Sequence, residues 1–209
     1  MIQQAALANP LSLMLDKDRR DFTRADMLEV IRERGIERLS FHYTSVDGKM
    51  RELKLPFSDF SQAERILASG ERVDGSSLFA GLVDAAASDL YVVPSYRTAF
   101  LSPFDSASLN FICRFLDRDG RPAAFTPDNI LAIAHERFKK RTGLELHALG
   151  ELEFFLLREG GPENFSAHRQ IGYHASSPFF KGGDVVNEMV RILTQITGSV
   201  KYAHAEVGY

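Results

Sequence analysis

The pattern of hydrophobic and polar positions in residues 1–118 predicts a mixed α+β domain. Capping residues and a helical apolar stripe predict one helix between Thr23 and Gly35, and a second helix over residues 60–68. Short β-prone runs predict strands over residues 38–46, up to Leu55, and over 90–93, 98–101 and 109–116. The pair Asp47-Gly48 predicts a two-residue hairpin turn between the first two strands.

The rest of the chain alternates between helical and extended patterns. Helices are predicted over residues 126–142 and 184–198, each with an apolar stripe that we interpret as core packing. Runs over residues 149–157 and 200–209 predict two strands, and we advance as a hypothesis that they neighbour each other in one sheet, since a strand, helix, strand connection allows it. The turn at Asp119 marks a domain boundary, so we expect three units, over residues 1–36, 37–118 and 119–209.

Composition narrows the class of protein. A hydrophobic content of 44% and a net charge of -3 are typical of a soluble globular chain. No apolar run approaches the roughly 18 residues of a membrane helix, and the first residues lack the pattern of a secretory signal. The single cysteine, Cys113, predicts a buried inert thiol and a cytoplasmic location. Acidic residues outnumber basic ones, so we expect no nucleic-acid partner.

Two acids stand out in the predicted strand over residues 149–157. Glu151 and Glu153 are two positions apart, so on a strand their side chains leave the same face, about 6.6 Å apart. Buried carboxylates need a positive partner, and a divalent cation supplies one for two like charges. The alternative is a half-exposed strand, because acids and apolar residues also alternate here.

His204 and Glu206 repeat this two-residue spacing in the predicted strand over residues 200–209. Together with Glu151 and Glu153 they offer three carboxylates and one imidazole, a donor set that suits Mg²⁺ or Mn²⁺. The alternative for His204 is an interior or exposed histidine without an active-site role. Whether the two strands bring these side chains together is a hypothesis at this point.

Four motifs in this order resemble the glutamine synthetase family. They are Asp74–Ser77 (DGSS), residues 89–94 (DLYVVP), Glu151–Phe155 (ELEFF) and His204–Glu206 (HAE). The resemblance implies an α+β chain, with an N-terminal β-grasp domain at residues 37–118 followed by the beginning of a catalytic α/β sheet. The motifs match only the front portion of the family's usual length, so we expect the 209-residue chain by itself to lack synthetase activity.

The resemblance also implies a reaction and its cofactors. Family members are ATP-dependent, Mg²⁺- or Mn²⁺-dependent ligases of glutamine biosynthesis that join ammonia to glutamate through a γ-glutamyl phosphate. Carried over by motif, Glu153 and Glu206 would bind the cation nearer glutamate, and Glu151 the cation nearer the nucleotide. His204, beside Glu206, is the second candidate for cofactor binding.

A further implied site lies at a subunit boundary. Family members form homo-oligomers of two stacked hexameric rings, dodecamers, with active sites between protomers. By resemblance Asp74, with Ser77 and Asp89 close by, would assist ammonium binding or deprotonation in the neighbouring protomer's site. The alternative for residues 74–77 is a plain turn, which glycine and serine favour regardless of function.

Three functions compete on the sequence alone. The first is a portion of a glutamate-ammonia ligase, or of a γ-glutamyl-amine ligase that takes another amine. The second is a non-catalytic scaffold or regulatory relative. It draws support from Leu149, which stands where the family has glycine, and Ser95, which stands where it has an acid. The third is a metal-dependent hydrolase, for which the sequence offers no nucleophile constellation.

Overall fold

The computed structural model describes residues 5–83, 88–157 and 172–207. The chain divides into two compact units, described separately below. The first comprises Asn9–Leu146 with the N-terminal residues up to Ala5, and the second comprises His147–Tyr209 with Ala6–Ala8. No helix within the described ranges is long and apolar enough to cross a membrane.

Three of the five helices described in the first unit, over residues 24–34, 60–69 and 127–142, lie where the sequence predicts, whereas the other two were not predicted. They are α1 (Pro10–Leu15), α2 (Arg24–Arg34), α3 (Phe60–Ser69), α4 (Gly75–Leu78) and α5 (Pro127–Thr142), with 3-10 turns at Arg19–Asp21 and Tyr96–Thr98. Helix α2 starts with a reciprocal capping box between Thr23 and Asp26, and ends at Gly35 with a φ of 62°. Such local capping explains why sequence reasoning located this helix.

Six strands form one mixed sheet in this unit. They are β1 (Arg38–Thr44), β2 (Met50–Pro56), β3 (Glu71–Asp74), β4 (Asp89–Pro94), β5 (Phe100–Ser102) and β6 (Asp105–Asp117). Their order is β2-β1-β6-β4-β3, with β5 also paired to β6. Strands β1 and β6 run parallel, whereas the other pairs are antiparallel. The predicted α+β class is confirmed.

The hairpin between β1 and β2 is present, but its predicted two-residue turn is wrong. The Ser45 amide donates to the Lys49 carbonyl at 3.1 Å, and the Gly48 amide donates to the Ser45 carbonyl at 3.0 Å. Three residues, 46–48, therefore lie between the hydrogen-bonded residues Ser45 and Lys49. Gly48, at a φ of 76°, takes the left-handed position that a three-residue hairpin loop requires.

Aromatic side chains dominate the core on one face of the sheet. Strand β1 buries Leu39, Phe41 and Tyr43, and strand β6 buries Phe111 and Phe115. The rings meet edge to face, as in the pair Phe41–Phe111, whose centroids are 6.0 Å apart. Alternate positions on each strand thus supply one continuous apolar layer, against which the helices pack.

Cys113 lies in this core, as the sequence predicts. Burial raises the pKa of its thiol well above the ordinary value. A thiol held in its protonated form is a poor nucleophile and a poor metal ligand, so Cys113 serves packing.

Helix α5 is present, but the prediction that its apolar stripe packs in the core is wrong. Its Ile130, Leu131, Ile133 and Phe138 side chains are exposed. Polar groups attach the helix instead. The buried Asn129 donates through Nδ2 to the Phe115 carbonyl at 2.8 Å and to the Ala123 carbonyl at 3.0 Å. Hydrogen bonds to β6 therefore position the first turn, while the apolar side chains further along face outward.

The second unit contains one helix, α6 (Gly183–Thr197), among its described residues. It ends at Gly198 with a φ of 66°, close to the predicted limits, but its predicted role in core packing is wrong because none of its residues is buried. The predicted strands over residues 149–157 and 200–209 are also wrong wherever the structure describes them, because residues 149–157 and 200–207 join no sheet. A strand requires a hydrogen-bonded neighbour, and β-prone sequence alone does not supply one.

Candidate metal centre

Three predicted site residues converge in the second unit. Glu151, His204 and Glu206 each offer one donor atom, and these atoms all lie within 4.8 Å of one another. Glu153 is not a member of this group in the described part of the chain. The expected same-face pairing of Glu151 with Glu153 was an inference from strand geometry, and residues 149–157 are not a strand. The structure brings Glu151 to the other segment instead.

Backbone and side-chain contacts orient His204 within this group. Its Nδ1 lies 3.1 Å from the Ala205 carbonyl oxygen, which can only accept a hydrogen bond. In the tautomer with its proton on Nδ1, that atom donates to the carbonyl and Nε2 keeps the lone pair that a metal ligand needs. The same Nδ1 lies 3.6 Å from Oε1 of Glu206, so the carboxylate favours this tautomer.

The group is accessible from solvent. The His204 side chain is 16% exposed and that of Glu206 is 39% exposed, while Glu151 is exposed. A cation bound here would keep water molecules among its ligands, as Mg²⁺ and Mn²⁺ commonly do in proteins.

The donor chemistry fits a divalent cation. Two carboxylates and one imidazole are the oxygen and nitrogen donors that Mn²⁺ and Mg²⁺ accept, and no thiolate is among them. Ligands about 2.0–2.2 Å from one ion lie at most about 4.4 Å apart, so donors within 4.8 Å need only small movements to share an ion. Glu151, His204 and Glu206 are therefore the candidate ligands.

A second group of predicted site residues lies in the first unit, at the end of β3. Asp74 closes this strand and caps α4, so residues 74–77 are a strand end and one helical turn. Its carboxylate accepts hydrogen bonds from the Ser76 amide at 3.0 Å, the Ser76 hydroxyl at 2.7 Å and the Ser77 hydroxyl at 2.5 Å. The Ser77 hydroxyl, followed by Ser76, holds the Asp74 pKa well below its ordinary value of 3.8. Asp74 is therefore a fixed anion at neutral pH.

Gly75 allows this turn to form against β4. The Gly75 amide donates to the Ser88 carbonyl at 2.7 Å. A Cβ atom at this position would lie 2.8 Å from the same oxygen and 2.9 Å from Cδ1 of Leu90. Glycine is required here because the backbone approaches a neighbouring strand closely, which the sequence motif alone did not reveal.

Asp89, the third residue of this group, is the direct partner of Asp74 across the β3–β4 ladder. Opposed carboxylates repel, and each is held by its own donors. Arg72 binds Asp89 at 3.0 Å, while the serines bind Asp74. The structure thus brings Asp74, Ser77 and Asp89 together on an exposed edge, and adds Arg72, which sequence reasoning did not single out.

Sequence reasoning also missed the rings around the candidate metal ligands. Tyr173, His174 and Tyr202 each have a ring centroid between 4.4 and 5.7 Å from that of His204. The only indication in the sequence was the density of tyrosine and histidine in two short segments. Their convergence depends on how these segments fold against each other.

Comparison with known proteins shows similarity over most of the chain. The family model described as "Glutamine synthetase, beta-Grasp domain" matches residues 35–118. The glutamine synthetase of Thermus thermophilus is 30% identical over 195 residues, which cover 89% of this chain and 43% of the relative. The 3-hydroxylaminophenol mutase of Cupriavidus pinatubonensis is 32% identical over 141 residues, which cover 66% of this chain and 27% of that protein.

A solved structure, apo GmaS without ligand, shares the fold. It matches with a TM-score of 0.63 at 15% identity, over 86% of this chain and 41% of that chain. The chain spans less than half the length of the curated relatives it matches. The β-grasp match and the similarity to curated glutamine synthetases over most of the chain show that it belongs to the glutamine synthetase family.

Proposed function

We propose that this chain supplies the β-grasp domain and part of the metal centre of an ATP-dependent ligase. The reaction joins ammonia, or another amine, to the γ-carboxylate of glutamate through a γ-glutamyl phosphate. The observation that carries the proposal is the convergence of Glu151, His204 and Glu206, with donor atoms within 4.8 Å of one another. The family to which the chain belongs supports the ligase class.

The proposed reaction has two steps. A glutamate carboxylate oxygen takes the γ-phosphoryl group of ATP and ADP leaves; the amine nitrogen then attacks the acyl carbon, phosphate leaves and the nitrogen loses a proton. Magnesium or manganese would neutralise charge on the transferred phosphoryl group when bound. Glu151 and Glu206, which the motifs assign to two different cations, would hold one cation here, and His204, oriented by the Ala205 carbonyl, would complete the set. Glu153 remains a proposed ligand because of its position in the ELEFF motif.

The proposed role of Asp74 is to attract the amine as an ammonium ion in a neighbouring protomer's site. Its low pKa makes the carboxylate a weak base at neutral pH, which favours electrostatic attraction over deprotonation. Ser77 would keep the carboxylate ionised, and Asp89 would add negative charge beside it. The role requires a homo-oligomer, which in the complete enzyme we propose to be a dodecamer. A cytoplasmic location is part of the same proposal.

Manganese binding tests the metal centre directly. We expect the chain to bind Mn²⁺, and we expect Glu206→Gln to weaken binding at least about tenfold, because an anionic donor becomes a neutral one. Electron paramagnetic resonance of free Mn²⁺ during titration measures the affinity. Glu188→Gln is the matched control, since Glu188 lies on α6 and pairs with Arg191 at 3.7 Å. Equal affinities for Glu206→Gln and the control would refute the centre and favour a scaffold or regulatory function.

Catalysis by the isolated chain is a separate question. We propose that the 209-residue chain alone does not catalyse the ligase reaction. Glu151 is exposed, whereas phosphoryl transfer needs a site from which water is excluded. A γ-glutamyl hydroxamate assay with ATP and Mg²⁺ is expected to show no product above the enzyme-free background. The glutamine synthetase of Thermus thermophilus serves as the positive control. Product formation by the purified chain would overturn this part of the proposal.

A further inference from the structure

A second imidazole lies beside the candidate metal ligands. The rings of His174 and His204 have centroids 4.4 Å apart, and their planes are tilted by 42°. His174 is not a member of the group formed by Glu151, His204 and Glu206, whose donor atoms lie within 4.8 Å of one another. Its ring nevertheless contacts the ring of a member, and all four residues belong to the second unit. His174 is therefore a candidate fourth donor.

The separation of the two rings suits two imidazoles that share one ion. A zinc ion lies about 2.0–2.1 Å from each ligating nitrogen, and a ring centroid lies roughly 1.1 Å behind that nitrogen. Two imidazoles bound at angles of about 90–110° therefore have centroids roughly 4.5–5.2 Å apart. The observed 4.4 Å is close to the short end of this range. The His174 side chain is exposed, so its ring has room to turn toward the ion.

The backbone fixes His174 next to the other donors. Its φ is 57°, in the left-handed region that few residues other than glycine adopt. The His174 amide donates to the Ala205 carbonyl at 2.9 Å, and Nδ1 of His204 lies 3.1 Å from the same oxygen. Ala205 thus connects the segment of His174 to the two ligands on either side of it. A left-handed histidine persists only where its surroundings determine it, so the fold places this imidazole.

A second imidazole changes which metal the group prefers. Two carboxylates and one imidazole suit Mg²⁺ or Mn²⁺, which favour oxygen donors. Two carboxylates and two imidazoles provide the four nitrogen and oxygen donors of a tetrahedral zinc site. A given set of such donors also binds Zn²⁺ more tightly than Mn²⁺. The donor chemistry therefore favours zinc as soon as His174 takes part.

We propose that the group has a second binding mode, in which Zn²⁺ is held by two imidazoles and two carboxylates. The four ligands are Glu151, His174, His204 and Glu206. Zinc with four protein ligands is a closed site that leaves no position for a phosphoryl oxygen. Zinc would therefore inhibit the reaction that Mg²⁺ or Mn²⁺ supports. This consequence rests on the proposed ligase function, whereas zinc binding itself does not depend on catalysis.

Competition with a chromophoric zinc indicator measures the zinc affinity of the full 209-residue chain. We expect Zn²⁺ to bind at least about tenfold more tightly than Mn²⁺. We expect His174→Asn to weaken zinc binding at least about tenfold, but to change the manganese affinity by less than about twofold, because manganese favours oxygen donors. Asparagine tolerates the left-handed backbone, so this substitution removes the ring without straining the segment.

His147→Asn is the matched control. It makes the same substitution at an exposed histidine of the second unit that is not a member of the donor group. Its zinc affinity is expected to equal that of the wild type. A wild-type zinc affinity in His174→Asn, with native circular dichroism, overturns the inference.

Zinc X-ray absorption spectroscopy of the wild-type chain gives a second measurement, which does not depend on the folding of a variant. Two imidazole ligands are expected, and one or none contradicts the proposal. Manganese titration of the same sample separates this inference from the proposed function. A chain that binds Mn²⁺ but holds zinc without His174 refutes the inference alone. A chain that holds zinc through two imidazoles but binds no Mn²⁺ supports the zinc site and refutes the proposed metal centre of the ligase.

Discussion

Replacing Gly70 with alanine is expected to lower the free energy of unfolding of the first unit by about 3–5 kcal/mol. Gly70 ends α3 with a φ of 70° and a ψ of -158°, a conformation essentially restricted to glycine. A Cβ atom there would lie 2.2 Å from the Val92 carbonyl oxygen and 2.9 Å from Cγ2 of Val93. Both atoms belong to β4, so relief would require α3 and the sheet to separate.

Urea denaturation followed by far-UV circular dichroism measures this effect. Gly143→Ala is the matched control, because Gly143 also ends a helix with a positive φ, 73°, but has no atom within 4 Å of the added carbon. We expect the free energy of unfolding of the control to fall by only about 1 kcal/mol. If the free energy of unfolding falls equally in both variants, the backbone conformation of glycine accounts for the whole effect. The close packing of α3 on β4 then contributes nothing measurable.

Phe115→Ala is expected to destabilise the same unit by about 3–5 kcal/mol, the range observed when a buried aromatic side chain is removed. Phe115 is 1% exposed on β6. Its ring meets Tyr43 at 5.5 Å and Phe79 at 5.2 Å, edge to face in both cases. The substitution removes two aromatic contacts and leaves a cavity between β1, β6 and the segment after α4.

The midpoint and the slope of urea denaturation give the change in the free energy of unfolding for Phe115→Ala. Phe104→Ala serves as the control, since Phe104 lies exposed in the turn between β5 and β6, and its loss is expected to change stability by less than about 0.5 kcal/mol. A small effect at Phe115 would mean that the aromatic layer repacks around the gap. Together with Gly70→Ala, the result would show whether close packing or backbone geometry contributes more to the stability of the first unit.

Local signals predicted the first unit well. The capping box at Thr23, the glycine ends of α2 and α3, and the alternation along β1 and β6 act within a few residues of chain. Such interactions form wherever the same residues stand together, so a sequence pattern is enough to locate them. The hairpin turn was predicted one residue too short, because the turn type depends on how the two strands pair.

Non-local features were predicted poorly. The β-prone run at residues 149–157 has no strand to pair with among the described residues, and the apolar stripe of α5 faces outward. Propensity describes how well a residue fits a strand or helix, whereas pairing and burial depend on segments far away in sequence. The buried Asn129 shows the same limit, since only the neighbouring carbonyls of Phe115 and Ala123 explain it.

For the candidate site, the sequence by itself determined which residue types carry the chemistry. Spacing and motif resemblance selected Glu151, His204 and Glu206, as well as the Asp74 turn, because carboxylates and imidazoles suit cations wherever they stand. Only the tertiary structure decided that Glu151 joins His204 and Glu206 without Glu153, and that tyrosine and histidine rings contact His204. Chemical identity is a property of each residue, but proximity is produced by the fold of segments some fifty residues apart.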